Sequence, residues 1–372
     1  MSLKERLENE LEIQKAVNSP RLKRQFDPFG LAIGIAAPLI AILIALLLTG
    51  LILLISGKDI FLIFGEMFRS AYIDNFAETI VKAIPLTLTG LAVAVAFRAR
   101  LWNIGAEGQF YAGVLCATGL ALAFPGWPAL LIVPAMLAAA MLGGALWAFV
   151  PAILRATLEV NEIISSLMLN YVALLLTDYF IFGPWRDPKG FNFPVTATFS
   201  DAARLPIVIE DTRIHLGLIF ALVAILIIWL VLGRTQWGFE LKVMGENLNT
   251  ARYAGIRVTR NIVIAFVLSG ALAGLAGMSE VTGVAGRLQQ GISPGYGYTA
   301  IIIAWLARLN PWAIGLVAVL FGGLVSSGFT MQRIGVSSGL VTFLQGTILF
   351  CVLAGESLSR RLLYLRALQR HS

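Results

Sequence analysis

Two short stretches carry side chains that could do chemistry in an otherwise apolar chain. Trp102-Asn103-Ile104-Gly105-Ala106-Glu107-Gly108-Gln109-Phe110-Tyr111 sets a carboxylate, two carboxamides and a phenol close together. Asn161-Glu162-Ile163-Ile164-Ser165-Ser166-Leu167-Met168-Leu169-Asn170-Tyr171 places Ser166 and Asn170 at i and i+4, on one face of a helix. Neither stretch fits a catalytic pattern. There is no Gly-x-x-x-x-Gly-Lys-Ser/Thr loop, since Gly57-Lys58-Asp59 fails it, and no nucleophile elbow or His-Glu-x-x-His. His215 and His371 are the only histidines, so no metal set, catalytic set or cofactor is expected on this chain. The chemistry left is hydrogen bonding, to a polar solute in a path or to a neighbouring helix. Polar groups in an apolar setting are costly unless they face a cavity or the bundle interior. Asn103, Glu107, Gln109, Tyr111, Ser166 and Asn170 are therefore the candidate path residues. Glu107 keeps a second reading, as a charge favoured by the positive end of a helix dipole. Ser166 and Asn170 keep theirs, as interhelical bonds. Lys82, Glu107, Asp178 and Glu280 are the ionisable residues in apolar surroundings, and sequence spacing links none of them.

The elements that must position these residues are membrane helices. The chain has 372 residues, 58% hydrophobic and 13% charged, with mean hydropathy +0.83. Soluble domains carry about 25% charged residues. Several apolar runs of 18 or more residues predict an all-α, polytopic transmembrane bundle. The alternating segments of a transmembrane barrel are absent. Cys116 and Cys351 lie in apolar runs and read as packing residues. The first apolar run, 31–55, follows a charged leader and is too long for a cleavable signal. Residues 1–29 form a cytoplasmic segment in which 3–17 is either an amphipathic surface helix or a frayed tail.

About ten spans are expected in a domain covering 30–355: 31–55, 76–97, 104–124, 129–153, 163–182, 215–232, 262–281, 298–309, 312–330 and 336–355. The eighth is short, because twelve residues rise only about 18 Å against a core of about 30 Å. With both termini cytoplasmic, 19 Lys and Arg fall inside and 8 outside, with Lys82 in a span. That split follows the positive-inside rule. It also explains the net charge of +7 without nucleic acid. The inner tail is 356–372.

Three loops stand out. The outer segment 183–214 holds four prolines and four aromatic residues and reads as a structured cap or a docking surface, not a flexible linker. The Gly-rich stretch 282–297 cannot be regular helix; it reads either as a plain loop or as a break of the kind that often lines transporter paths. The basic inner loop 233–261 contains a short helix starting at Asn247. Leu248, Ala251, Gly255 and Ile256 share its face, and Gly255 suits a left-handed C-terminus. Isolated helices need roughly 12–15 residues to be stable in water. Leu248, Ala251, Arg252, Gly255 and Ile256 are thus read as a docking element seeking a partner surface, against an ordinary solvated loop. Gly270-x-x-x-Gly274 and Gly335-x-x-x-Gly339 read as close-packing pairs.

At 101–109 and 160–171 the chain resembles the membrane permease subunits of bacterial ATP-binding-cassette (ABC) importers for nucleosides. These belong with the simple-sugar and branched-chain amino-acid permeases. Gly245–Ile256 is similar to their coupling segment, loosely, since Asn249 and Thr250 depart from the usual Glu-Ala start. The resemblance spans roughly 30–355. It implies a multi-pass protein of the bacterial inner membrane that is not itself an enzyme. Implied partners are cytoplasmic ATP-binding subunits, a second identical or homologous permease and an extracytoplasmic substrate-binding protein. A nucleoside is the implied solute. Sugar or branched-chain amino-acid transport and an ion-coupled secondary transporter remain the alternatives.

Overall fold

The computed structural model describes residues 28–190, 193–348, 350–351 and 354–355. The expected surface helix at 3–17 and the tail 356–372 lie outside the described residues. All regular structure among them is helical, with only isolated β-bridges besides. The chain divides into two units, Met1–Phe64 with Gly335–Ser372, and Gly65–Ile334.

In the first unit, α1 covers Pro28–Ile55. Residues 338–348 form the last helix, and α2, Ile60–Arg69, runs across the boundary between units. Gly335 takes φ +84°, a conformation natural only to glycine, while a Cβ at Gly339 would meet nothing. Among the described residues, Gly335 is therefore a turn position and Gly339 an open one.

The second unit holds α3 (Phe76–Arg98), α4 (Ala106–Ala123), α5 (Ala129–Leu158), α6 (Glu162–Phe182), α7 (Gly217–Arg234), α8 (Gln236–Glu246), α9 (Leu248–Tyr253), α10 (Val258–Glu280), α11 (Tyr296–Leu306) and α12 (Pro311–Arg333). Among the described residues, six helices are long and apolar enough to cross a membrane: α3, α5, α6, α7, α10 with its π turn, and α12. The composition of each helix explains its place. α3 and α10 are apolar or small-sided all round and are the buried centre. α5, α6 and α7 turn Leu142, Leu146, Leu175, Tyr179, Leu222 and Ile227 outward. Such stripes belong against lipid. α3 and α10 run antiparallel, because Lys82 meets Glu280 and Ser269 meets the carbonyl of Ala92.

Glycines set how closely these helices approach. A Cβ at Gly144 would collide with the Gly270 carbonyl, and one at Gly274 with the Ala140 carbonyl. A Cβ at Gly113 would strike Gly274 itself. α10 thus lies backbone to backbone against α4 and α5, as Gly270-x-x-x-Gly274 suggested.

α11 is the exception to spanning length. Its eleven residues rise about 16 Å, and Arg308 and Leu309 follow with φ +51° and +57°. Asn310 then caps α12 by accepting from Trp312 N at 3.0 Å. The described residues of 183–214 pack on the stretch that precedes α11. Their backbone bonds 282–288 through Thr196 to Leu288, Phe199 to Gly286 and Leu205 to Thr282.

Overpacking a filled contact costs about 1–3 kcal/mol. Gly144→Val is expected to lower the detergent-solubilised melting temperature by several degrees, whereas Gly339→Ala leaves it unchanged. Differential scanning fluorimetry distinguishes the two.

Candidate functional site

The two polar stretches, more than fifty residues apart, form one structure. Asn170 on α6 accepts from Gly108 N at 2.8 Å and donates to the Ile104 carbonyl at 2.9 Å. It also donates to the Tyr298 hydroxyl at 3.2 Å. These bonds satisfy backbone groups left over where a helix begins. Gly105 and Gly108 permit the approach, since a Cβ at either would run into Ser166 or Asn170. Ser166 is fully buried there and donates to the Ile163 carbonyl.

Asn103 and Gln109 face each other amide to amide, with both N–H···O bonds at 3.0 Å. Asn103 also donates to Ser269 Oγ at 2.9 Å and accepts from Gly105 N. Ser269 donates onward to the Ala92 carbonyl at 2.6 Å. The entry to α4 is thereby tied to both central helices.

Glu107 sits in the first turn of α4 and is 3% exposed. Its Oε2 accepts from Gly297 N at 2.6 Å, on the first turn of α11. Ser293 stands beside both Glu107 and Tyr111. Ser293 Oγ accepts from Gly295 N and Tyr296 N. Glu107 therefore faces two positive helix ends at once, its own and that of the broken helix. Charge-assisted bonds of this kind are short and about twice as strong as neutral ones.

The structure brings Glu107, Tyr111 and Asn170 to the start of α11, and sets Asn103 and Gln109 toward the middle of α10. Sequence reasoning missed Ser269 and Tyr298, and it placed Gly297 only in the Gly-rich break. The glycine break before α11 was the available signal for Gly297 and Tyr298. It also left Lys82 and Glu280 unconnected, yet they form a buried ion pair at 2.7 Å. Tertiary folding alone joins positions 198 residues apart.

A second cluster lies where α3 ends. Glu162 accepts from Trp102 N and pairs with Arg155 at 3.2 Å. A cleft of about 330 Å³ is lined here by Arg100, Leu101, Arg155, Glu159, Asn247, Leu248 and Arg252. Asn247 caps α9 as expected, accepting from Asn249 N and Thr250 N, and Gly255 takes φ +75°. α8 is fixed rather than loose. Glu240 accepts from Asn261 at 2.7 Å, and Gly245 lies against the Arg98 carbonyl. One expectation changes. Ala251 is fully buried within this chain, so no outside groove is needed to cover it. On α9 the outward apolar residues are Leu248, 41% exposed, and Tyr253, 94% exposed. Arg252 and Gly255 are also exposed, and Ile256 is half-buried.

Trp102 links the two clusters. It stacks on Trp305 of α11 at 5.6 Å and lies 4.9 Å from Phe97 of α3.

The profile of the family described as branched-chain amino acid transport system / permease component matches residues 75–353. The chain is 37% identical to the glucose ABC transporter permease protein TsgB13 of Haloferax volcanii, covering 91% of each chain. It is 36% identical to the guanosine ABC transporter permease protein NupP of Bacillus subtilis, over 85% of this chain and 92% of that one. It is 31% identical to the nucleoside ABC transporter permease protein NupB of Lactococcus lactis, over 86% and 90%. No solved structure matches.

Removing one partner of a buried hydrogen bond costs about 1–3 kcal/mol for each group left unmet. Asn170→Leu leaves Gly108 N and the Ile104 carbonyl bare and is expected to destabilise the protein strongly. Asn170→Asp keeps the acceptor for Gly108 N and should lose less. Urea or thermal unfolding in detergent gives the order.

Proposed function

We propose that this chain, which belongs to the branched-chain amino acid transport system / permease component family, forms the translocation path of an ABC importer. Family membership is the observation that carries this reading. A nucleoside is the proposed solute, given the guanosine and nucleoside permeases among its relatives. A sugar is the second reading, favoured by the similarity to the glucose permease. ATP-binding subunits, a second permease and a substrate-binding protein are the proposed partners, and ATP hydrolysis takes place on the partner subunits. The proposed setting is the cell membrane, with about ten spans and both termini cytoplasmic.

In this reading, α8 and α9 receive the ATPase. Leu248 and Tyr253 are the outward apolar anchors, with Arg252 at the rim, and buried Ala251 seats the helix on its own chain. Helix docking of this kind relies on a few such anchors. Movement of α8 passes to the end of α3 through Gly245 and to α10 through Asn261. It reaches α11 through Trp102 and Trp305. Solute moves past the start of α11. Glu107 and Tyr111 border that place, while Asn103, Gln109, Ser166 and Asn170 hold the wall in shape.

Three outcomes test this. In proteoliposomes holding the whole complex, Glu107→Gln should lower ATP-driven guanosine uptake at least tenfold with the complex still assembled. Unchanged uptake leaves Glu107 a helix-end charge only. Tyr253→Ala with Leu248→Asp should abolish retention of the ATPase in a pull-down while insertion is normal, and normal retention removes the docking role. Single cysteines at Phe193 and Tyr253 should label from outside and inside respectively, and the reverse pattern overturns the topology.

A further inference from the structure

One buried charged group has no part in the path or in ATPase docking. Lys82 Nζ donates to Glu280 Oε1 at 2.7 Å, and both side chains are almost wholly enclosed. The same oxygen accepts from the Tyr296 hydroxyl at 3.2 Å, and the ammonium stands 6.0 Å from that ring's centre. Lys82 lies on α3, Glu280 ends α10 and Tyr296 begins α11. One carboxylate thus ties three separate elements together. Its other oxygen, Oε2, is buried with no hydrogen-bond partner among the described residues.

A purely structural contact does not call for this chemistry. Well-packed apolar residues hold buried helices together as well as an ion pair does, or better, without the desolvation cost. In some proteins buried charges specify one arrangement, and ionisable residues within membrane helices mark functional sites. The surroundings suit such a site. Glu280 is followed directly by a π turn, Val281–Ala285, and π turns recur at functional sites. Gly286, Gly291 and Gly295 all take left-handed φ between that turn and α11. Tyr296 also precedes Gly297, whose N–H is held by Glu107. Two carboxylates on two helices therefore grip one helical turn, and only Glu280 has a cationic partner.

We propose that Lys82, Glu280 and Tyr296 form a latch that positions α11 for solute passage. It is closed in the conformation described and opens in another step of the transport cycle. Opening frees Tyr296 from Glu280, and the first turn of α11 shifts relative to Glu107. The three are positioning residues, acting on the path through α11. The proposal rests on the permease reading above.

The test uses the full complex with its ATPase subunits. Glu280→Gln, Tyr296→Phe and the exchange Lys82→Glu with Glu280→Lys are compared. The latch predicts that Glu280→Gln and Tyr296→Phe lower the maximal rate of ATP-driven guanosine uptake at least tenfold, with KM within twofold. ATP hydrolysis persists in both, and the charge exchange recovers at least a third of uptake. A parallel fall in hydrolysis and uptake, or an exchange no better than Glu280→Gln, overturns the latch. A second readout needs no solute: maleimide labelling of Tyr298→Cys should quicken at least fivefold when Glu280→Gln is added. An unchanged rate also overturns it. Tyr296→Phe deletes a single oxygen and serves if Glu280→Gln does not assemble. Wild-type complex that takes up neither guanosine nor glucose with ATP counts against the importer reading, and the labelling rate then judges the latch separately.

Discussion

A helix that begins inside an apolar medium leaves backbone N–H groups that no water can reach. The bond from Gly297 N to Glu107, at 2.6 Å, answers that constraint for α11. Much of the remaining polar chemistry answers the same constraint for α4. Asn170 covers Gly108 N, and Asn103 covers Gly105 N. Both helices start next to each other, so a few side chains satisfy two breaks. This arrangement permits irregular backbone in the middle of a helical protein, and irregular backbone is where a solute can be handled.

The breaks hold only because the surrounding helices lie very close. α10 presents Gly270, Gly274 and Gly277 to the backbones of α4 and α5. At that separation, Ser269 can reach both Asn103 and the Ala92 carbonyl. Small residues and amide networks are thus one device, since the network closes only where backbones nearly touch. The same rigidity gives α8 a mechanical line to the interior. Gly245 rests on the end of α3, and Trp102 carries that end to Trp305. In the importer proposed above, such a line is what force transmission would require.

Charge is spent sparingly in this interior. Glu107 is stabilised by N–H groups and helix ends, whereas Glu280 is stabilised by Lys82. The first depends on backbone that stays in place. The second depends on a side chain from another helix, so relative helix movement can break it.

The sequence by itself determined the helical class, the apolar runs and the caps. Asn161 and Asn247 each accept from the backbone two residues ahead, as their types and positions indicate. Gly255 is left-handed for the same local reason. These features are legible because period, capping and glycine freedom act within a few residues. That 102–111 and 161–171 hold polar groups needing partners was also legible, because polar clusters in apolar runs are costly. That Asn170 serves Gly108 was not legible, since partners 62 residues apart leave no periodic trace. Ala251 shows the same limit. Its helical face was read correctly, but only the packing decided that its own chain covers it and leaves Tyr253 outside. Lys82 and Glu280 are two isolated charges in the sequence, and only the antiparallel register of α3 and α10 makes them a pair.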